Sequence, residues 1–211
     1  MEKKRAARRS LTLPGIVELD DLLERRNNAR AGRSEIDREI VRRFQRKRAV
    51  FVLDMAGFSY SVRRHGIIHH LAKIHRMRVA VQEVTRTLRG RVVKFEADNA
   101  FVTFATVDSA VKAATRVNEH VLESNATASR ENQIQVAIGI GYGPILLADT
   151  DFYGDEVNLA SKLGEDIAGH GEVLLTAAAR KALRARSHRL EPLNMTISGV
   201  KLRASRLALR E

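Results

Sequence analysis

The chain has no cysteine, which excludes disulfides, thiolate metal sites and cysteine nucleophiles. No apolar run approaches the ~20 residues needed to span a bilayer. It has no Gly-Lys-Ser/Thr phosphate loop, and Ser59 and Ser161 lack a matching histidine–acid pair, which argues against serine-hydrolase chemistry. Internal repeats and low-complexity tracts are missing too. The basic start, Met1 to Arg9, has no apolar stretch behind it, so no secretory signal is expected and a cytoplasmic location is the default.

What is present bounds the answer further. With 211 residues the chain is long enough for one good core plus an appendage. Hydrophobic content of 44% with 29% charge is ordinary for a soluble globular protein. The formal net charge of +12 raises the question of a nucleic-acid partner. Residues 1–48 hold 15 Lys/Arg against 8 Asp/Glu, while the remaining 163 hold 22 against 17. The excess is therefore concentrated at the N-terminus. No aromatic residues interleave those charges to stack on bases, so a solvated helix face is the expectation and nucleic acid is not.

Residues 1–47 read as a basic helical arm, and 48–211 as the main domain. In the arm, Pro14 opens a helix with Ile16, Leu19, Leu22 and Leu23 on one face. After a break at 27–33, Ser34 is the expected N-cap of a second helix, with Ile36, Ile40, Val41 and Phe44 as its stripe. A stripe that narrow must bury itself against something, so the arm is expected to dock, dimerise or take a regulatory partner.

From Ala49 strands and helices alternate. Ala49–Leu53 reads as a central strand. A helix is expected over 66–88 with Ile67, Leu71, Ile74 and Val81 inward, ended by Gly90. Arg91–Phe95 and Ala100–Phe104 read as paired strands around a tight connection near Ala97. Residues 109–122 form a helix facing inward through Ala110, Ala113, Ala114, Val117 and Val121. Residues 131–147 suit two strands joined near Gly141–Gly143. A helix over 155–168, a strand over 172–175, a helix over 176–185 and a closing hairpin follow. This order predicts an α/β chain, an α+β sandwich on a mainly antiparallel sheet.

Asp54 and Asp98 each end an apolar run, and paired carboxylates at strand ends suit Mg²⁺ or Mn²⁺. After Asp54, the segment Met55, Ala56, Gly57, Phe58, Ser59 is a strand-to-helix turn whose backbone N–H groups are expected to cradle a polyphosphate. His65, His69, His70 and His75 suggest a metal cluster, but they lack an acidic partner and read as solvent-facing or core-edge groups.

Four blocks then carry a resemblance: Phe51-Val-Leu-Asp-Met-Ala-Gly-Phe-Ser59, Gly90-Arg-Val-Val-Lys-Phe-Glu-Ala-Asp98, Ile138-Gly-Ile-Gly-Tyr-Gly143 and Gly154-Asp-Glu-Val-Asn-Leu-Ala-Ser-Lys-Leu163. In this order and spacing the chain resembles the catalytic domain of class III nucleotidyl cyclases, the adenylate/guanylate cyclase family. The resemblance implies a ferredoxin-like βαββαβ core and a homodimer with two composite active sites. It implies a phosphorus–oxygen lyase that converts ATP to 3′,5′-cyclic AMP and pyrophosphate. Asp54 and Asp98, with the Met55 backbone, would hold two Mg²⁺ or Mn²⁺ ions per site. Lys94 and Asp151 match the family's base-selecting pair from the opposite protomer, and suit adenine; guanylate-selective members usually carry Glu and Cys there. Counting back from Gly154 gives Asp151, with Asp149 as the alternative. Asn158 matches the ribose-orienting asparagine.

The sequence departs from the family pattern in three places. Lys162 stands where the family usually has a transition-state arginine, keeping the charge but losing the planar fork. Ala97 replaces a usual Gly before the metal aspartate, which is harmless only where φ is negative. Glu96 and the Asp155-Glu156 pair add negative charge near the expected site. A weakly active or inactive nucleotide-binding module, or a cyclase for another triphosphate, is the rival expectation.

Overall fold

The computed structural model describes residues 13–56, 58–185, 188–197 and 200–208, with backbone alone for 58–61, 195–197 and 200–202. Strand β1 (Gln45–Met55) lies at the centre, antiparallel to β3 (Asn99–Phe104) on one side and β4 (Val136–Leu147) on the other. Because both edges are paired and both faces covered, Ala49 to Leu53 is an unbroken apolar run. Ala49, Phe51, Leu53 and Met55 face the main core, while Val50 and Val52 face a second cluster with Ile145, Leu147 and Phe152. Strand β2 (Arg91–Glu96) pairs with β3. The order β4-β1-β3-β2, with helices between β1 and β2 and between β3 and β4, is the expected βαββαβ arrangement.

Helices α4 (Ile67–Thr87) and α5 (Val107–Ala126) cover one face. Helix α5 turns inward the five residues that the periodicity assigns. On α4 the stripe is displaced. His70, Ile74, Met77, Val81 and Val84 are buried, whereas Ile67 and Leu71 are 48% and 52% exposed. Ile74 belongs to both possible stripes, and the seam continuing through Met77, Val81 and Val84 buries more of the helix. His70 is fully buried rather than solvent-facing. Residues 58–65 form a separate short helix, α3 (Phe58–His65).

Strand β4 is one continuous strand, not the two expected. Gly139, Gly141 and Gly143 alternate along one face, where α6 (Asp155–Ser161) crosses in near contact. A Cβ on Gly139 would stand 2.0 Å from the Ala160 carbonyl oxygen, and one on Gly141 would stand 2.4 Å from that of Glu156. These glycines mark a close approach, not a turn. Helix α6 continues as a π-helical segment, Lys162–Ile167. Strand β6 (Val173–Thr176) pairs parallel to β4, and α7 (Ala177–Ala182) follows. Strands β7 (Leu190–Ile197) and β8 (Val200–Leu207) form the expected closing hairpin, and β5 (Phe152–Tyr153) pairs with the end of β4.

The N-terminal helices α1 (Ile16–Asn28) and α2 (Arg33–Phe44) form a hairpin tied by the ion pairs Arg26–Asp37 and Arg43–Glu18. Helix α2 is capped by Gly32, at φ 78°, and not by Ser34, whose hydroxyl donates to Glu35. Leu19, Leu22, Ile40 and Phe44 close around Ala148, beyond the end of β4. Leu23 and Val41, expected in the same stripes, are 39% and 46% exposed. Among the described residues no helix is long and apolar enough to cross a membrane.

Candidate active site

Asp54 sits near the end of β1, opposite Ala137 of β4. Asp98 lies in the two-residue turn between Glu96 and Asn99. Pairing of Leu53 with Ala100 brings that turn beside the end of β1, so the topology puts the two carboxylates together. Desolvation raises the pKa of Asp54, the charge of Asp98 raises it further, and the Met55 backbone N–H opposes both. Such repulsion between half-buried carboxylates is what a bound hard cation relieves, so these oxygens fit a divalent metal ion. The Met55 side chain is buried in the core, leaving only its main chain to contribute.

Ala97 has φ 48°, so the residue where the family usually carries glycine is in the left-handed region. A positive φ at the first central residue is the pattern of a II′ hairpin turn, for which Gly is the norm. Arg78 steadies the turn by donating to the Ala97 carbonyl at 2.8 Å.

The expected phosphate cradle is only partly available. The Ala56 N–H donates to the Gln135 carbonyl at 2.9 Å, a long-range bond that takes it out of the cradle. Gly57 lies outside the described residues. Phe58 and Ser59 begin α3, where first-turn amides have no partner within the helix.

Lys94 and Asp151, fifty-seven residues apart, meet directly. The Lys94 Nζ lies 3.3 and 3.4 Å from the two Asp151 oxygens and 3.0 Å from Glu96. Burial pulls the Lys94 pKa down, but bonds to Glu96 and Asp151 outweigh it and the net shift is upward. Asp151 also accepts from the Phe152 N–H at 2.8 Å and the Tyr153 hydroxyl at 3.3 Å. Its alternative, Asp149, is engaged elsewhere: the carboxylate accepts from the Ile16 N–H at 2.8 Å at the start of α1.

Asn158 and Lys162 stand one turn apart and exposed, on α6 and at its end. The Lys162 ammonium lies 3.7 Å from Asp166. Two acids that sequence reasoning missed, Glu165 and Asp166, belong to the same neighbourhood. Desolvation raises the pKa of Glu165, and the charges of Asp54 and Asp166 add to it. Their adjacency, one turn after Lys162, was the available signal. Glu156, expected to add charge to the site, turns to the sheet instead and accepts from the Tyr142 N–H at 2.8 Å and the Thr176 hydroxyl at 2.7 Å.

Residues 48–205 match the family model of the adenylate and guanylate cyclase catalytic domain. A Rhizobium meliloti protein named "Putative adenylate cyclase 3" is 25% identical over 150 residues, 71% of this chain. The chain spans about a quarter of the length of the curated relatives it matches. Among solved structures, the adenylate/guanylate cyclase/hydrolase from Silicibacter pomeroyi superposes with a TM-score of 0.68 at 24% identity, covering 78% of this chain and 97% of that one. The adenylyl cyclase CyaB from P. aeruginosa gives 0.68 at 18% identity, covering 79% and 96%. With the family model spanning residues 48–205, the chain belongs to the family of adenylate and guanylate cyclase catalytic domains, the class III nucleotidyl cyclases.

Proposed function

We propose that this protein is an adenylate cyclase that closes ATP to 3′,5′-cyclic AMP and pyrophosphate, acting as a homodimer with composite sites. The observation that carries the reading is the Lys94–Asp151 pair. An ammonium donates to adenine ring N1, and the adjoining carboxylate accepts from the exocyclic amine. Guanine presents the reverse, an N1 donor and an O6 acceptor. The Glu96 contact holds the ammonium charged and leaves Asp151 able to turn to the base.

Asp54 and Asp98 would hold the divalent ions, which when bound lower the pKa of the ribose 3′-hydroxyl and neutralise the phosphate charge. Asn158 orients the ribose, and Lys162 places its ammonium by the phosphate oxygens as charge develops there. To do so Lys162 leaves Asp166, an exposed i,i+4 pair worth only about 0.3–0.5 kcal/mol. The cost is small.

The rival reading, a poorly active nucleotide-binding module, draws on that same position: a lysine lacks the two-pronged fit of arginine to phosphate. Incubating the purified chain with ATP or GTP, with Mg²⁺ or Mn²⁺, separates the readings. Cyclic AMP formation that disappears in Asp54→Asn and Asp98→Asn supports the cyclase. Nucleotide binding without turnover, corrected by Lys162→Arg, supports the module. Turnover unaffected by both aspartate changes overturns the assigned metal site.

A further inference from the structure

A pocket of about 220 Å³ opens at the end of the sheet remote from Asp54, between the starts of β1 and β2. Six strand residues, about 20 Å, separate Arg48 from Asp54. Four arginines line it: Arg46 and Arg48 on β1, Arg91 on β2 and Arg89 just past α4, with Thr103 and Leu147 alongside.

None of the four arginines forms an ion pair with a carboxylate among the described residues. Other arginines of this chain do: Arg26 with Asp37, Arg43 with Glu18, and Arg206 with Glu172. The pocket arginines bond main-chain carbonyls instead, Arg46 to Gln45 at 2.7 Å, Arg48 to Lys47 at 3.3 Å and Arg91 to Asp149 at 2.8 Å. Asp149 directs its own carboxylate to the Ile16 N–H. Like charges around one concavity repel unless an anion sits among them.

The backbone supplies an independent sign. Arg89 has φ 55°, at the left-handed position that ends a helix and is usually glycine. The Gly90 N–H closes the motif on the Thr85 carbonyl at 2.8 Å. Gly90 cannot give way, because a Cβ there would stand 2.3 Å from the Phe104 ring. The chain thus keeps an arginine at the pocket rim where glycine would be less strained.

We infer that this pocket binds a compact, multiply charged oxyanion, a di- or triphosphate group. Planar guanidinium forks match phosphate oxygens two at a time. The volume falls below the ~300–1,000 Å³ of pockets that enclose drug-sized molecules, so the anionic group enters and anything attached stays outside. The site needs no metal and shares no residue with the candidate active site, so it does not depend on the cyclase reading.

The test is calorimetric titration of tripolyphosphate into the full chain, in EDTA at low ionic strength. One saturable site per chain is expected. Affinity should fall by roughly tenfold or more in the Arg46→Gln/Arg48→Gln double variant and in Arg89→Gly. It should be unchanged in Asp54→Asn and Lys94→Gln, which alter the other site. Arg89→Gly should melt above the wild type, because glycine relieves the left-handed residue, so its loss of binding is not unfolding. ATP in the same buffer distinguishes the source. Equal affinity for ATP, surviving Lys94→Gln, assigns the pocket to a nucleotide's phosphate tail, and tripolyphosphate binding alone assigns it to a free anion. Absence of saturable binding, equal affinity in the arginine variants, or loss in Lys94→Gln would each overturn the inference.

Discussion

Glu156→Ala is expected to destabilise the domain through a defect visible along β4. Strand β6 pairs with β4 at residues 138–140, and β5 pairs at 146 and 147. Between them the Tyr142 N–H faces a gap, and the Glu156 carboxylate fills it at 2.8 Å. The same oxygen accepts from the Thr176 hydroxyl, which itself caps α7 by accepting from the Ala179 N–H at 3.1 Å. Alanine strands the Tyr142 N–H and loosens that cap. Each bond to the charged carboxylate contributes about 1.5–3 kcal/mol, so the two together are worth about 3–6, and a loss at the lower end, about 3 kcal/mol, is expected. At ~2–4 °C per kcal/mol for a chain of this size, Tm should drop by roughly 6–12 °C. Glutamine keeps an acceptor oxygen and should lose about half as much. Circular dichroism melts of the metal-free protein measure both. A Glu156→Ala melt within about 2 °C of wild type would refute the clamp. A lowered KM for ATP in Glu156→Gln would instead put this carboxylate's charge back in the expected site.

Other substitutions read other parts of the account. Ala97→Gly relieves a left-handed alanine, worth ~1–2 kcal/mol, against ~0.5–1 kcal/mol of added chain entropy, so a modest rise in Tm is expected and a fall would refute the strain. Asp149→Ala removes the acceptor at the start of α1 and should cost about 1 kcal/mol. Because Asp149 lies two residues before Asp151, its KM for ATP should rise more than its kcat falls, with Asp149→Asn restoring much of both. For Asp54, desolvation and then Asp98 raise the pKa, so the native chain holds more protons than the unfolded one between the ordinary carboxylate value and the raised one. Metal-free stability should therefore be fullest below the ordinary value and decline as pH climbs through that window. Asp54→Asn should shrink the decline to the part that Glu165, raised chiefly by desolvation, still contributes, raise the metal-free Tm at neutral pH and remove any Mg²⁺-induced stabilisation; melts across pH, with and without the ion, check all three.

Local pattern carried the core well. The apolar run before Asp54, the strands flanking Ala97 and the small-residue stripe of α5 are set by neighbours close in sequence, and their order fixes the βαββαβ arrangement. Features that depend on distant partners were not legible. Gly141 and Gly143 resemble turn residues until α6 is seen lying on them. Glu156 reads as site charge until Tyr142 and Thr176 claim it. The Ala56 amide appears available until Gln135 is placed beside it. His70 sits in a stripe that competes with the one through Leu71, and only the packed core decides between them. In the site, Asp54 and Asp98 stand out because each ends an apolar run, whereas Lys94 and Asp151 enter only through the family resemblance. Glu165 and Asp166 offered only their adjacency one turn after Lys162, because the π-helical segment that carries them reads as ordinary helix.

The most direct test of the composite two-carboxylate site mixes two inactive chains. Asp54→Asn and Lys94→Gln, each purified and shown not to turn over ATP, are unfolded together and refolded as an equal mixture. Random pairing in a two-fold dimer rebuilds one intact site in each mixed pair, so cyclic AMP synthesis should return to about a quarter of the wild-type rate. A mixture as inactive as its components, although mixed dimers have formed, would contradict the account.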